Sequence, residues 1–417
     1  MTETPPHSPE ELLPRAGVMT ALKHRNYRLF WFGNLISLTG DWMDQVALNW
    51  LVITVTGNPV MLGVVNLGRG IPIMVFSMFG GVMADRYDRR KYLMTTQTAT
   101  MLVSVLLAAV VWSGDVNIWV IAVLATCRGI VVAFNLPARH TLIFELVPRS
   151  DVASAVALNS VTIQMAKVLG PLVAAGLIAV FSIAACFLVN AVSFTFVLVS
   201  LLMIRIPPKP VRDRRREKVL TSMRQGFAYL GNEPTLLLLV LVGLVPVFFC
   251  QPYLSIQAVF AKDVFDAGST GLGILTSTAA FGSICGGLLA ARLQRDARRG
   301  SIMLSFMGMF GLSLMAYAAM PTVYAALPCL FVAGAMHIAY NSTNSTILQL
   351  VVDDDYRGRV LSTLIMTRGL VSLGTAAMAT LAAFIGARGA MASMALVVVC
   401  FAVALWIWAP RLRDMKV

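Results

Sequence analysis

Twelve apolar stretches, each long enough to cross a bilayer, follow one another along this chain: about 29–54, 61–84, 92–113, 117–136, 152–178, 181–204, 233–260, 268–291, 301–319, 322–346, 359–385 and 388–409. A spanning helix takes about 20 mostly apolar residues. In lipid the backbone must satisfy its own hydrogen bonds, which leaves helices and closed barrels as the spanning structures. The expected fold is therefore all-α, with twelve transmembrane helices in the lipid bilayer. Composition agrees: 58% of residues are hydrophobic and 13% charged, against about half and a quarter in soluble domains. Little chain remains for a soluble catalytic domain.

The formal net charge of +13 raises nucleic acid as a partner, and the distribution of the basic residues removes it. Connectors after odd spans are short and nearly uncharged, as at Gly57-Asn58-Pro59, Gly114-Asp115-Val116 and Met320-Pro321. Those after even spans are basic, as at residues 85–91, 212–218 and 292–299. Of the 33 Lys and Arg, 27 fall in the N-terminus, the even connectors and the C-terminus. Two (Lys262, Arg388) lie on the opposite side, and four (Arg69, Arg128, Lys167, Arg368) lie inside spans. By the positive-inside rule both termini and the even connectors are expected in the cytoplasm of a multi-pass protein of the cell's inner membrane. The charge is topological, and no nucleic-acid partner is expected. The polar first 28 residues, with Glu3, Glu10 and Glu11, do not read as a removable signal peptide.

The six cysteines all fall in apolar runs without CxxC spacing, so they read as small core residues. His7, His24, His140 and His337 stand beside no nucleophile or acid in motif spacing. No enzymatic activity, metal or other cofactor is expected.

The longest connector divides the spans six and six. The expected organisation is an N-terminal tail at 1–28, a six-helix bundle at 29–204, a linker at 205–232, a second six-helix bundle at 233–409 and a tail at 410–417. The halves resemble each other: an offset of 204 sets Asp151 on Asp355 and Leu169-Gly170 on Leu373-Gly374, and an offset of 206 sets Gly80-Gly81 on Gly286-Gly287. Two parallel six-helix repeats related by pseudo-symmetry are a secondary-transporter architecture, with the site at their interface.

The loop Gly81-Val82-Met83-Ala84-Asp85-Arg86-Tyr87-Asp88-Arg89-Arg90-Lys91 resembles the GxxxDRxGRR signature of the major facilitator superfamily, with Asp88 where the pattern has Gly. Leu38-Thr39-Gly40-Asp41 and Thr56-Gly57-Asn58-Pro59 are similar to its macrolide-efflux and enterobactin-exporter-like branch. The resemblance runs from about Asn26 to Pro410 and implies a two-domain rocker-switch transporter of twelve helices with a central cavity. It further implies that Gly81, Asp85, Arg86, Arg89 and Arg90 form a conformational latch, closing on the start of the eleventh span near Gly358. A loop that only sets topology is the alternative, although the second half has Ala291 where Asp85 stands. Gly81 itself reads as a point of close helix approach.

A charge near the bilayer centre costs at least about 2.5–3.5 kcal/mol, so the ionisable groups in the spans need a reason. Asp41 and Asp44 lie near the middle of the first span. On a helical wheel they share a broad face with Asn34, Ser37 and Gln45 that is expected to line the cavity. A carboxylate there can exchange a proton as the cavity alternates, and Asp41 is taken as the proton carrier, with Asp44 a second member. Arg128, within Leu124-Ala125-Thr126-Cys127-Arg128-Gly129, resembles the family's fourth-helix motif, in which a buried Arg influences proton coupling. A static Asp–Arg pair holding the helices in register is the alternative. Ala166 to Gly176, with Gly170-Pro171 at its centre, is similar to the antiporter motif gxxxGPxxGG, which in the family accompanies export against protons.

Arg69, Lys167 and Arg368 join Arg128 to make the span interior net positive, a setting that favours anionic substrates unless these side chains snorkel. Gln164, Tyr253, Gln257, His337, Asn341 and Asn344 are further cavity candidates, or else helix contacts. The expectation is a monomeric secondary active transporter that exports a small organic molecule such as a drug, siderophore or metabolite in exchange for protons. A lipid or lysophospholipid flippase of the same fold, without obligatory proton coupling, is the alternative.

Overall fold

The structure is a computed structural model that describes residues 19–204, 234–293, 299–351 and 367–415. The expected tail at 1–28 up to residue 18, the whole of the expected linker at 205–232, and Asp355 and Gly358 lie outside the described residues. The helices are α1 (Arg25–Thr56), α2 (Pro59–Arg86), α3 (Arg89–Trp112), α4 (Ile118–Ile143), α5 (Val152–Val180) and α6 (Ile183–Met203), then α7 (234–264), α8 (Gly268–Leu293), α9 (Arg299–Ala319) and α10 (Val323–Val351). The stretch Thr367–Trp408 breaks at Gly386, whose φ of 76° is left-handed, giving α11 (367–385) and α12 (387–408). The described residues thus hold twelve long helices, consistent with twelve transmembrane spans.

Local chemistry sets the boundaries. Asn58 accepts from the Val60 amide and places Pro59 in the first turn of α2. Asp88 caps α3 through the Lys91 amide, Asn117 caps α4 through Trp119, and Ser182 caps α6 through Ala185. Each side-chain oxygen satisfies an amide that the first helical turn leaves unpaired. Pro72, Pro137 and Pro171 lie inside helices, as membrane helices tolerate. Helix α4 therefore continues past Pro137 to Ile143, and Arg139, assigned above to a basic connector, lies within it. Helix α7 is interrupted at residues 250–252 and ends in a π-helical turn, Phe260–Val264.

Helices α1 to α6 form one bundle and α7 to α12 the other. The internal repeat is visible in their packing. Gly80 of α2 lies against the backbone of Ala133 and Phe134 on α4, and Gly286 of α8 against that of Ala335 on α10. A side chain at either position would overlap the neighbouring helix. Gly81, by contrast, comes no nearer a described neighbour than ordinary contact with Pro137, so among the described residues the close approach belongs to Gly80. The bundles meet along two seams related by the same repeat. Helix α2 packs on α11, Gly63 against Ala376 and Met74 against Gly369, and α5 packs on α8, Pro171 and Ala175 against Gly273. Of the cysteines, Cys186 and Cys250 are core residues, whereas Cys127 and Cys400 are exposed.

At the end of the molecule that carries the short connectors, Lys262 crosses between bundles. Its Nζ donates to the Ile53 carbonyl at 2.7 Å, in the last turn of α1, where a cation also meets the negative end of the helix dipole. The π-turn aims Lys262 at this point. Lys262→Met is expected to loosen this end: spin labels at Asn58 and Asp266 in a cysteine-free background will show a larger long-distance population than in the parent, and an unchanged distance distribution would refute the strut.

Candidate functional site

Helices α1 and α4 run antiparallel, and α1 presents its acids to the arginines of α4. Arg128 is fully buried; its Nη2 donates to Asp41 Oδ1 at 2.8 Å, and its Nη1 donates to Asp44 Oδ1 and to Ser104 Oγ, the latter at 3.3 Å. Asn190 of α6 donates to the same Asp44 oxygen at 3.2 Å. Four helices thus converge on one buried guanidinium. Paired and hydrogen-bonded charges are the form in which ionised groups persist in a low-dielectric interior.

The polar face expected on α1 divides in two. At 100° per residue, Ser37 and Asp44 lie roughly 70° around the helix from Asn34, Asp41 and Gln45. Ser37 and Asp44 are fully buried inside the bundle, on the side where Gly40 meets Asn190 and Ser193 of α6. The expected cavity lining is therefore corrected for these two. Asp41 keeps 26% of its side chain exposed, against 0% for Asp44. Asn34 is buried but faces α4, where its Oδ1 accepts from Arg139 Nε. Arg139 Nη1 lies 4.0 Å from Asp41 Oδ2. Gln45 joins an amide network with Asn49 and Asn66 of α2 at 3.1–3.3 Å.

Arg69 of α2 is half-buried, with its backbone against Gly129 of α4, and lies within electrostatic reach of Asp41, Asp44 and Arg128. With both acids ionised, the cluster of Arg69, Arg128 and Arg139 with Asp41 and Asp44 carries a net +1. Lys167 of α5 sits 5.4 Å from the ring centroid of Trp42, the neighbour of Asp41, a cation–π geometry. One turn on, Gly170 packs on α1 at Thr39, Trp42 and Met43. Pro171 packs across the bundle seam on Gly273, so the Gly-Pro pair touches both α1 and α8.

In the second bundle, Tyr253 and Gln257 are fully buried rather than lining an open cavity. Tyr253 packs edge-on to Phe310 and His337 at 6.0 and 6.5 Å between centroids, an aromatic core contact. Asn344 is buried, Asn341 exposed and Gln164 half-buried. The Arg368 side chain lies outside the described residues, as do those of Asp85 and Arg86. The two other basic latch residues are held within their own bundle: Arg89 Nη1 pairs with Glu145 at 2.6 Å, and Arg90 Nη2 donates to the Leu202 carbonyl at 2.7 Å.

Sequence reasoning missed Arg139, Asn190 and Ser104. The signal for Arg139 is its spacing, because eleven residues from Arg128 is close to three full turns, which sets both on one face of α4.

The family described as "Transmembrane secretion effector" matches residues 16–417. The chain is 26% identical to the staphyloferrin A transporter of Staphylococcus aureus, over 89% of this chain and 94% of that one. It is 24% identical to macrolide efflux protein A of Streptococcus pyogenes, covering 84% and 88%, and 24% identical to the enterobactin exporter EntS of Shigella boydii, covering 81% and 80%. Among solved structures, a bacterial homologue of the human lysosomal transporter Spinster, inward-facing and unoccupied, superposes with a TM-score of 0.73 over 94% of this chain and 99% of that chain, at 17% identity. The nucleoside transporter NupG superposes with a TM-score of 0.72 over 92% and 100%, at 14% identity.

Proposed function

Because this chain belongs to the transmembrane secretion effector family of the major facilitator superfamily, and is thus a membrane transporter and not an enzyme, we propose that it exports a small organic molecule in exchange for protons. The observation that carries the reading is the contrast between two acids on one helix. Asp44 is sealed in the bundle core, paired with Arg128 and Asn190, whereas Asp41 shares the same arginine and remains partly exposed. Asp41 is the proton carrier, Arg128 its modulating cation, and Asp44 the group that keeps Arg128 fixed when Asp41 is neutral. Proton exchange is open to a carboxylate that solvent reaches; a sealed one serves structure.

Export follows from three supports: the relatives named for siderophore transport and macrolide efflux, the Gly170-Pro171 pair at the meeting of α1, α5 and α8, and the placement of Asp41. In this reading the basic connectors and both termini face the cytoplasm, in the inner membrane of a bacterial cell. The chain works as a monomer, and residues 205–232 link two rocking halves. Asp85 and Arg86 form the latch toward the start of α11, while Arg89 and Arg90 brace it from within the first bundle. Gln45, Lys167 and Trp42 line the substrate path.

Purified protein in proteoliposomes with an acidic lumen tests this with a macrolide, enterobactin and staphyloferrin A as probes. At least one probe is expected to accumulate in the lumen several-fold over its outside concentration, and a protonophore collapses the accumulation. Transport that ignores both the pH gradient and the protonophore would overturn proton exchange and favour a flippase-like facilitator.

A further inference from the structure

The two oxygens of Asp41 face two different arginines of α4. Oδ1 accepts from Arg128 Nη2 at 2.8 Å, and Oδ2 stands 4.0 Å from Arg139 Nη1. The two cations are not equivalent. Arg128 is fully buried, and its other terminal nitrogen is taken by Asp44 and Ser104. Arg139 is 14% exposed, about three turns nearer the basic end of the molecule. Asn34 fixes it through Nε, and its Nη2 has no hydrogen-bond partner among the described residues. Asn34 and Asp41 are seven residues apart, two turns of α1, so one face of α1 supplies both the residue that holds Arg139 and the carboxylate it faces.

We propose that Arg139 is a positioning residue for Asp41: a second guanidinium, on the basic-end side, that holds the ionised carboxylate after its proton has left. This rests on the proton-carrying role proposed for Asp41. An ionised carboxylate in a low-dielectric bundle needs more cationic contact than a neutral one, and Arg139 supplies it without loosening Arg128 from Asp44. The other charged groups near Asp41 are Arg69 from α2, within electrostatic reach of it, Lys167 from α5, which lies on the neighbouring Trp42, and Asp44 one turn along α1. Ser104 of α3 and Asn190 of α6, which reach Arg128 and Asp44 rather than Asp41, are neutral, and the segment Tyr253–Val259 of α7 that packs on α1 carries no charged residue.

The test needs no substrate. Infrared difference spectra of protein reconstituted in lipid, titrated with pH, follow the C=O stretch of protonated carboxyls. A band lost in Asp41→Asn belongs to Asp41. In Arg139→Gln its midpoint is expected to rise by about one pH unit, because the carboxylate has lost a cationic neighbour and keeps its proton to higher pH. Arg139→Lys is expected to bring the midpoint most of the way back, which a purely structural role would not do. If the glutamine variant does not fold, Arg139→Met is expected to give the same rise. A midpoint unchanged in Arg139→Gln or Arg139→Met, with the band still abolished by Asp41→Asn, would overturn the role of Arg139 alone. A spectrum in which Asp41→Asn removes no titrating band would overturn the proton-carrying reading, and this inference with it.

Discussion

Asp41→Asn is expected to reduce pH-gradient-driven accumulation in proteoliposomes to background, a loss of at least about tenfold, while exchange of labelled for unlabelled probe across the membrane stays measurable. The amide is nearly isosteric with the carboxylate. Its oxygen can still accept from Arg128 Nη2, now at 2.8 Å from Asp41 Oδ1, and the tie between Arg128 and Asp44 is untouched. What the amide cannot do is release and regain a proton. Alternating access without proton exchange leaves equilibrative movement, so the variant separates coupling from binding. Loss of exchange together with accumulation would instead mark Asp41 as a structural residue.

The second large effect concerns stability. Arg128→Met is expected to destabilise the protein by about 3–5 kcal/mol, the usual result of removing one partner from a buried ion pair. It strands Asp44, whose side chain is 0% exposed, with only Asn190 donating to it among the described residues. Arg128→Met with Asp44→Leu is expected to recover much of that loss, since a buried pair replaced by apolar side chains of similar volume is often close to neutral. Thermal melting of the purified variants, combined as a double-mutant cycle, reads the coupling directly. Equal melting temperatures for the Arg128→Met variant and the parent would show that the cluster does not hold the bundle together.

Much of this architecture was legible in the sequence because lipid leaves few options. Apolar runs and the alternation of short and basic connectors located all twelve spans, and Asp41, Asp44 and Arg128 stood out because charges are costly at that depth. The features that escaped share a physical cause. Arg139 was counted with a basic connector because the fourth apolar run was ended at 136, whereas the helix continues through Pro137 to Ile143, as membrane helices tolerate. Ser104 and Asn190 are neutral and therefore inexpensive enough to pass unnoticed, although Asn190 donates to Asp44 and Ser104 accepts from Arg128 and Asn190. The wheel of α1 grouped five polar residues that the packing of α6 separates, since a face some 100° wide can touch two neighbours at once. In the loop after α2, sequence pattern singled out Gly81, while the close contact among the described residues is made by its neighbour Gly80. Arg89 and Arg90 pair within their own bundle, a choice of partner that basic residues in a loop do not disclose.

In the proton exchange proposed above, one proton leaves Asp41 when substrate binds. It is tested most directly by measuring proton release in weakly buffered detergent solution when a transported probe is added. The parent protein is expected to release up to about one proton per bound molecule, whereas Asp41→Asn is expected to bind the probe and release none. Equal proton release from the parent and the Asp41→Asn variant would contradict it.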